Sequence, residues 1–116
     1  MPARPQKALS LPVLHILVTL ADGPRHGYAI KQAVEERSDG AIRLGPGTLY
    51  EAIQRLEESG LIVEAAADDP ANGQAAQRRY YQLTDRGWST LRSELRPLGS
   101  LIDHARGNPR LRKGLA

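Results

Sequence analysis

The sequence predicts a mainly α fold with a small β-hairpin, a winged helix-turn-helix followed by a C-terminal dimerisation helix. Three observations carry that expectation. Three segments within the first 60 residues repeat apolar side chains at helical spacing. Two short strand-like runs follow, separated by a polar stretch that contains glycine and proline. A last, longer segment then repeats apolar residues every three or four positions. With 116 residues, 41% hydrophobic and 25% charged, the chain is sized for one compact core. The expected division is 9-83 as the winged-helix domain, 84-106 as the dimerisation helix and 107-116 as a mobile basic tail.

Taken in order, residues 9–21 (LSLPVLHILVTLA) are apolar on almost every side of a helix. Such a helix lies between two layers, one of which can be a second subunit. Pro12 suits its first turn, and Asp22-Gly23-Pro24 ends it. A second helix is expected from His26 to about Arg37, with Tyr28, Ala29, Ala33 and Val34 recurring at helical spacing and Lys31, Glu35 and Glu36 facing water. Ser38-Asp39-Gly40 stops it. Ile42-Arg43-Leu44 reads as a short strand, and Gly45-Pro46-Gly47-Thr48 opens a third helix to about Ser59, capped by Gly60. Leu61-Ile62-Val63 and Gln77 to Leu83 are the hairpin strands, joined by a turn from Asp68 to Gln74. Thr84 is a good N-cap, with Asp85 favourable in the first turn, for a fourth helix to about Arg106. Trp88, Leu91, Leu95, Leu98, Ile102 and Ala105 on it have the spacing of a two-helix seam; packing on its own domain is the alternative. Pro97 removes one helical hydrogen bond and predicts a kink. The closing GNPRLRKGLA is basic and unpatterned.

Several function classes are excluded at this level. There is no cysteine, hence no disulfide framework, thiolate metal site or thiol nucleophile. Val13 to Ala21, the longest apolar stretch, is interrupted by His15 and Thr19 and falls short of the roughly 20 apolar residues of a membrane span. It does not have the form of a signal peptide either, so the expected location is cytoplasmic, with no membrane partner. Paired carboxylates, a nucleophile beside a base, metal-spaced histidines and a phosphate-cradling glycine loop are all missing from the motifs, so no catalysis, cofactor or metal is expected. The formal charge is +3. Seven basic and seven acidic residues balance through Gly60, while nine and six follow from Leu61, so the excess lies entirely in the second half. Any electrostatic hold on phosphate needs those later segments.

The third helix is the candidate reading element. Leu49, Ala52, Ile53 and Leu56 make its apolar face, leaving Gly47, Glu51, Gln54 and Glu58 opposite, with Thr48 and Arg55 on one flank and Tyr50 on the other. An amide such as Gln54 suits adenine, and a guanidinium such as Arg55 suits guanine or phosphate. Glu51 and Glu58 oppose binding to a polyanion. The hairpin sets Arg78 and Arg79 beside Tyr80 and Tyr81, where arginines of a wing can reach phosphate or the minor groove. Alternation along a strand points the two arginines to opposite faces. A plain solvated helix face, solvated arginines over a tyrosine core, and a winged-helix module that binds protein without DNA are the competing explanations.

In combination, ADGPRHGYAIKQAVEERS, LGPGTLYEAIQRLEESGLI and RRYYQLTDRG closely resemble the PadR family of bacterial transcriptional regulators, over residues 9 to about 90. The resemblance implies a winged-helix domain that binds double-stranded operator DNA as a two-fold homodimer, usually as a repressor of a palindromic site. It also implies a C-terminal helical segment that dimerises, here of the short, single-helix subclass. By the motif, Thr48 and Tyr50 of PGTLY stand at the start of the recognition helix near DNA, and the basic residues before YYQLT belong to the wing. Gly27 and Tyr28 match the HGY positions, the tyrosine suited equally to packing and to a phosphate contact. Gly73-Gln74-Ala75-Ala76-Gln77 replaces most of the Gly- and Arg-rich wing usual in the family, and Glu51 stands where an uncharged residue is common. Some relatives take a small aromatic effector between subunits. Trp88 and His15 are the candidate ligand-binding residues, with a core anchor as the alternative role of Trp88; His15 and Thr19 either line such a cavity or are polar residues satisfied within the dimer. The dimerisation residues implied are Trp88, Leu91, Leu95, Leu98 and Ile102.

Overall fold

The computed structural model describes residues 9–66 and 79–115. Helix α1, Leu11–Ala21, begins where the Ser10 hydroxyl accepts from the Val13 amide at 3.4 Å, with Pro12 in its first turn. Leu14, Ile16, Leu17, Thr19 and Leu20 are buried, whereas Leu11 stays exposed. The turn after α1 uses Gly23 at φ +138°, a backbone region that side chains rarely enter.

Strand β1, Arg25–His26, comes next and leads directly into helix α2, Gly27–Arg37. The His26 ring caps that helix, its Nδ1 accepting from the Ala29 amide at 3.2 Å. The inward stripe of α2 is Gly27, Ile30 and Val34. Tyr28, expected among the inward-spaced residues, is instead 58% exposed, and its hydroxyl accepts from Gln32 at 3.2 Å. Placing Gly27, Ile30 and Val34 inward puts Tyr28 about 100° around the helix from Gly27. Buried Thr19 joins α1 to α2: its hydroxyl donates to the His15 carbonyl and accepts from Arg37, both at 2.8 Å, and Arg37 reaches Asp22 at 3.3 Å.

Ile42-Arg43-Leu44 forms no strand, which corrects the sequence expectation. The sheet is three-stranded in the order β1-β3-β2, and β1 fills the place beside β3. The loop is instead pinned by the Ile42 amide donating to the Ser38 hydroxyl at 3.0 Å, and Leu44 plugs the core. Helix α3, Pro46–Glu58, buries Leu49, Ile53 and Leu56. Gly60, at φ +76°, turns the chain into β2, Ile62–Ala65. β2 pairs antiparallel with β3, Tyr80–Leu83, placing Ile62 opposite Leu83 and Ala65 opposite Tyr80. The expected hairpin turn, Asp68 to Gln74, lies outside the described residues, as do Gln77 and Arg78.

Helix α4, Asp85–Arg106, starts at Thr84, whose hydroxyl accepts from the Gly87 amide at 3.0 Å and donates to the Gly60 carbonyl at 2.6 Å. The helix continues unbroken through Pro97. The residues after it, expected to be unpatterned, contain a helical turn, α5, Pro109–Arg112, started by Asn108 accepting from the Arg110 amide at 2.9 Å. Asn is a strong N-cap and Pro109 is preset for the first helical position, which accounts for the turn.

Gly87 is the tightest point of the fold. A Cβ there would stand 2.1 Å from the Leu61 carbonyl oxygen, a backbone atom that cannot step aside. Gly87→Ala is therefore expected to lower stability by about 1–3 kcal/mol, the usual cost of overpacking. Chemical denaturation of the two proteins checks this; equal midpoints would show that the two backbones part freely.

Candidate nucleic-acid interface

α3 presents its polar face to solvent. Thr48, Tyr50, Glu51, Gln54, Arg55, Glu57 and Glu58 are all exposed, while the opposite face is sealed into the core by Leu49, Ile53 and Leu56. The helix start is equally open. Gly45 is the N-cap and supplies no side chain, no acidic residue stands in the first turn, and a Cβ at Gly45 or Gly47 would meet nothing within 4 Å. The Leu49 amide is taken by the Gly45 carbonyl at 2.9 Å. The Gly47 and Thr48 amides precede the intrahelical ladder and carry the positive pole of the helix dipole.

Tyr50 is 55% exposed and rests against buried Gly27 at the start of α2. Its position is thus set by a second helix as well as by α3. Arg55 and Gln54 extend from the following turn with no such support. Glu51, Glu57 and Glu58 set three carboxylates on the exposed side of a helix whose own cation is Arg55.

Of the two wing arginines, Arg79 is described and exposed, at the entrance to β3. It stands two residues before Tyr81, and its charge acts on that residue's hydroxyl. Burial pushes the Tyr81 hydroxyl above its ordinary range; Glu57 adds to the rise, the Arg79 charge opposes it, and Glu64 adds a smaller rise. Tyr80 packs the other way, its ring edge-on to His26 with centroids 5.3 Å apart. Because the Tyr81 pKa is raised on folding, its contribution is intact below the unfolded value of roughly 10 and is lost as pH climbs through the folded one. The stability of the wild type should therefore fall more steeply above about pH 10 than that of Tyr81→Phe. Parallel denaturation curves across that range would show that Tyr81 titrates like a free tyrosine.

The α4 stripe divides. Leu91 is 5% exposed and belongs to the core of its own domain, which removes it from a free seam. Trp88, Leu95 and Leu98 are each 38% exposed, and Leu101 and Ile102 more so. The sequence stripe omitted Leu101. Between α1 and α4 lies a cavity of about 130 Å³ lined by Leu11, Leu14, His15, Val18, Arg37, Leu95 and Leu98. His15 Nδ1 is buried without a hydrogen-bond partner. A larger cavity, about 370 Å³, runs along the Thr48 and Arg55 flank of α3, floored by Val13, Ile16, Leu44 and Leu61. Trp88 lines neither. Among the described residues there is no cluster of three metal-ligating side chains, and no helix long and apolar enough to cross a membrane.

Gly87 and β1 escape a reading by periodicity, and Gly27 is matched to the HGY motif without a packing role. A glycine within or at the start of a helix costs stability unless a close approach needs it, and that signal was readable at both positions. A two-residue strand such as β1 has no periodicity to read.

Three helices, a small antiparallel sheet and a long helix following it, with the third helix open on one face, define a winged-helix protein. The transcriptional regulator PadR-like family matches the chain over residues 16–93, and the chain belongs to that family. It is accordingly a transcriptional regulator and not an enzyme. The transcriptional regulator Rv3488 of Mycobacterium tuberculosis is 37% identical over 94 residues, 81% of each chain. An uncharacterized 37.1 kDa protein in transposon TN4556 of Streptomyces fradiae is 55% identical over 47 residues. That match takes in 40% of this chain and 13% of the relative, so the chain spans a small part of that protein's length. In three dimensions the chain is similar to a transcriptional regulator from Clostridium thermocellum, with a TM-score of 0.63 at 23% identity, covering 85% of this chain and 92% of that one.

Proposed function

We propose that this regulator binds a palindromic double-stranded DNA operator as a homodimer and represses transcription from it. The observation that carries the reading is the uncovered polar face of α3, with Thr48, Tyr50, Gln54 and Arg55 outward and no hydrogen bond described from any of them to the rest of the protomer. The open positive pole at Gly47 and Thr48 supports it, because a helix N-terminus favours phosphate. Arg79 and its neighbour Arg78 supply a second contact from the wing. Residues 9-83 act in this scheme as the DNA-binding unit and 84-106 as the dimerisation helix.

The carboxylates on α3 favour a second reading, a winged-helix module that binds a protein. Salt separates the two. Binding through several phosphates weakens steeply with ionic strength, with a log–log slope of about −0.9 for each phosphate neutralised. A protein-binding module has no duplex affinity even at low salt. The experiment is selection of duplexes from a random pool with the purified protein, followed by a salt titration on the winner; a palindrome and a steep slope are expected. On that duplex, Tyr50→Ala and Arg55→Ala should each cost about 1–3 kcal/mol of binding without loss of the folded dimer. Unchanged affinity in both variants would remove α3 from the interface.

For the dimer, the support is the apolar stripe of Leu95, Leu98 and Ile102, continued by exposed Leu101; Leu95 and Leu98 line the α1/α4 groove together with Leu11 and Val18. Leu95→Glu should yield monomers in sedimentation, since a two-fold contact would bury the new carboxylate twice. A variant that still sediments as a dimer would place the contact elsewhere. Release by a small aromatic ligand is the final part of the reading. The cavity beside His15 holds about 130 Å³ in one protomer, below the roughly 300 Å³ of ordinary ligand sites. A flat aromatic compound would therefore need the second protomer to complete its site.

A further inference from the structure

We propose that Gly27 is a positioning residue for DNA recognition: its missing side chain admits the Tyr50 phenol against the first turn of α2 and so fixes where that phenol meets the duplex. The inference rests on the assignment of α3 as the reading helix.

Backbone freedom does not explain this glycine. Gly23, Gly40 and Gly60 adopt positive φ, and Gly27 is not among them. Its conformation is one that alanine adopts without strain, and alanine would favour the helix. Space explains it. A Cβ at position 27 would lie 3.0 Å from Tyr50 Oη and 3.2 Å from Cε1 and Cζ, closer than ordinary van der Waals contact. All three atoms belong to the far end of one side chain, and that side chain is more than half exposed. A methyl group at 27 thus pushes the phenol by a few tenths of an ångström, its three nearest neighbours all being side-chain atoms of Tyr50. The glycine itself cannot retreat. His26, immediately before it, caps α2 through the Ala29 amide and pairs with Tyr80 in β3, with its ring edge-on to the Tyr80 ring. The footing under Tyr50 is therefore continuous with the wing strand, and both parts of the proposed interface are referred to the same three residues, Arg25 to Gly27.

Positioning and mere packing predict opposite pairs of results. Gly27→Ala, Tyr50→Ala and the double variant are to be compared for thermal stability and for affinity to the duplex selected by the wild type. The expected result for Gly27→Ala is an unchanged or higher Tm together with affinity weaker by roughly three- to tenfold, the range that one misplaced hydrogen bond commands. In the Tyr50→Ala background the same substitution should change affinity no further. Equal losses in both backgrounds, or no loss in either, overturn the proposal. If Tyr50→Ala binds as the wild type does while Arg55→Ala is weakened, this inference fails and the reading helix stands. If the wild type selects no duplex at all, the proposed function fails and takes this inference with it.

Discussion

The contact between the first turn of α4 and the chain leaving α3 holds the other parts in register. At Gly87 the helix backbone comes so close to the Leu61 carbonyl that no side chain fits between them, and Thr84 clamps the same junction by donating to the Gly60 carbonyl while capping α4. The Leu61 carbonyl also accepts from the Thr84 amide at 3.1 Å. Three elements meet at this point: the end of α3, the start of β2 and the start of α4. The direction in which α4 leaves the domain is consequently fixed relative to α3 within a few residues of backbone. In a two-fold dimer built on α4, that angle would set the separation of the two reading helices, and operator half-sites have to match it at multiples of a helical turn.

Charge alone does not make this chain a polyanion binder. The net +3 is small, and the polar side of α3 carries Glu51, Glu57 and Glu58 against Arg55. At physiological salt, charges more than about 8 Å apart are largely screened, so local arrangement outweighs the total. Locally, the start of α3 is the favourable end. It combines a free helix pole worth about half a unit of positive charge with the hydroxyls of Thr48 and Tyr50. Glu57 and Glu58 occupy the last turn, where they face the negative pole and do least harm to a phosphate held at the opposite end. Glu51, between the two ends, is the carboxylate that a duplex would have to accommodate, and a cytosine amino group is the base-edge partner that suits it.

Much of this was legible in the sequence because period and punctuation agreed. The limits of α1, α3 and α4 follow from Pro12 with Asp22-Gly23-Pro24, from Gly45-Pro46 with Gly60, and from Thr84, each a capping or turn feature with a defined geometric effect. The errors share a different origin. Ile42-Arg43-Leu44 has the composition of a strand, but β1 fills the place beside β3 and the Ile42 amide is taken by the Ser38 hydroxyl. Tyr28 has the bulk of a core residue, yet Ile30 and Val34 already fill the inward stripe beside Gly27. Leu91 fits the seam by spacing and the core by depth, and only the tilt of α4 against the domain decides between them. In each case local preference was overridden by which neighbour had already filled the space.

The same competition for space bears on α1. Its apolar residues run all the way round, but a single protomer covers them on one side, leaving Leu11 exposed and Pro12, Val13 and Val18 half-buried. Leu95 and Leu98 of α4 flank that open side across a narrow groove that His15 also lines, and His15 Nδ1 is buried with no hydrogen-bond partner. A buried polar nitrogen left unsatisfied costs about 1–3 kcal/mol, and each exposed leucine forgoes a stabilisation of similar size. One isolated protomer would carry all of these costs at once. A second α4 laid along the α1/α4 groove would cover the leucines on both helices. The apolar excess of α1 and the apolar stripe of α4 are thus two halves of one requirement, and the proposed dimer meets both with a single contact.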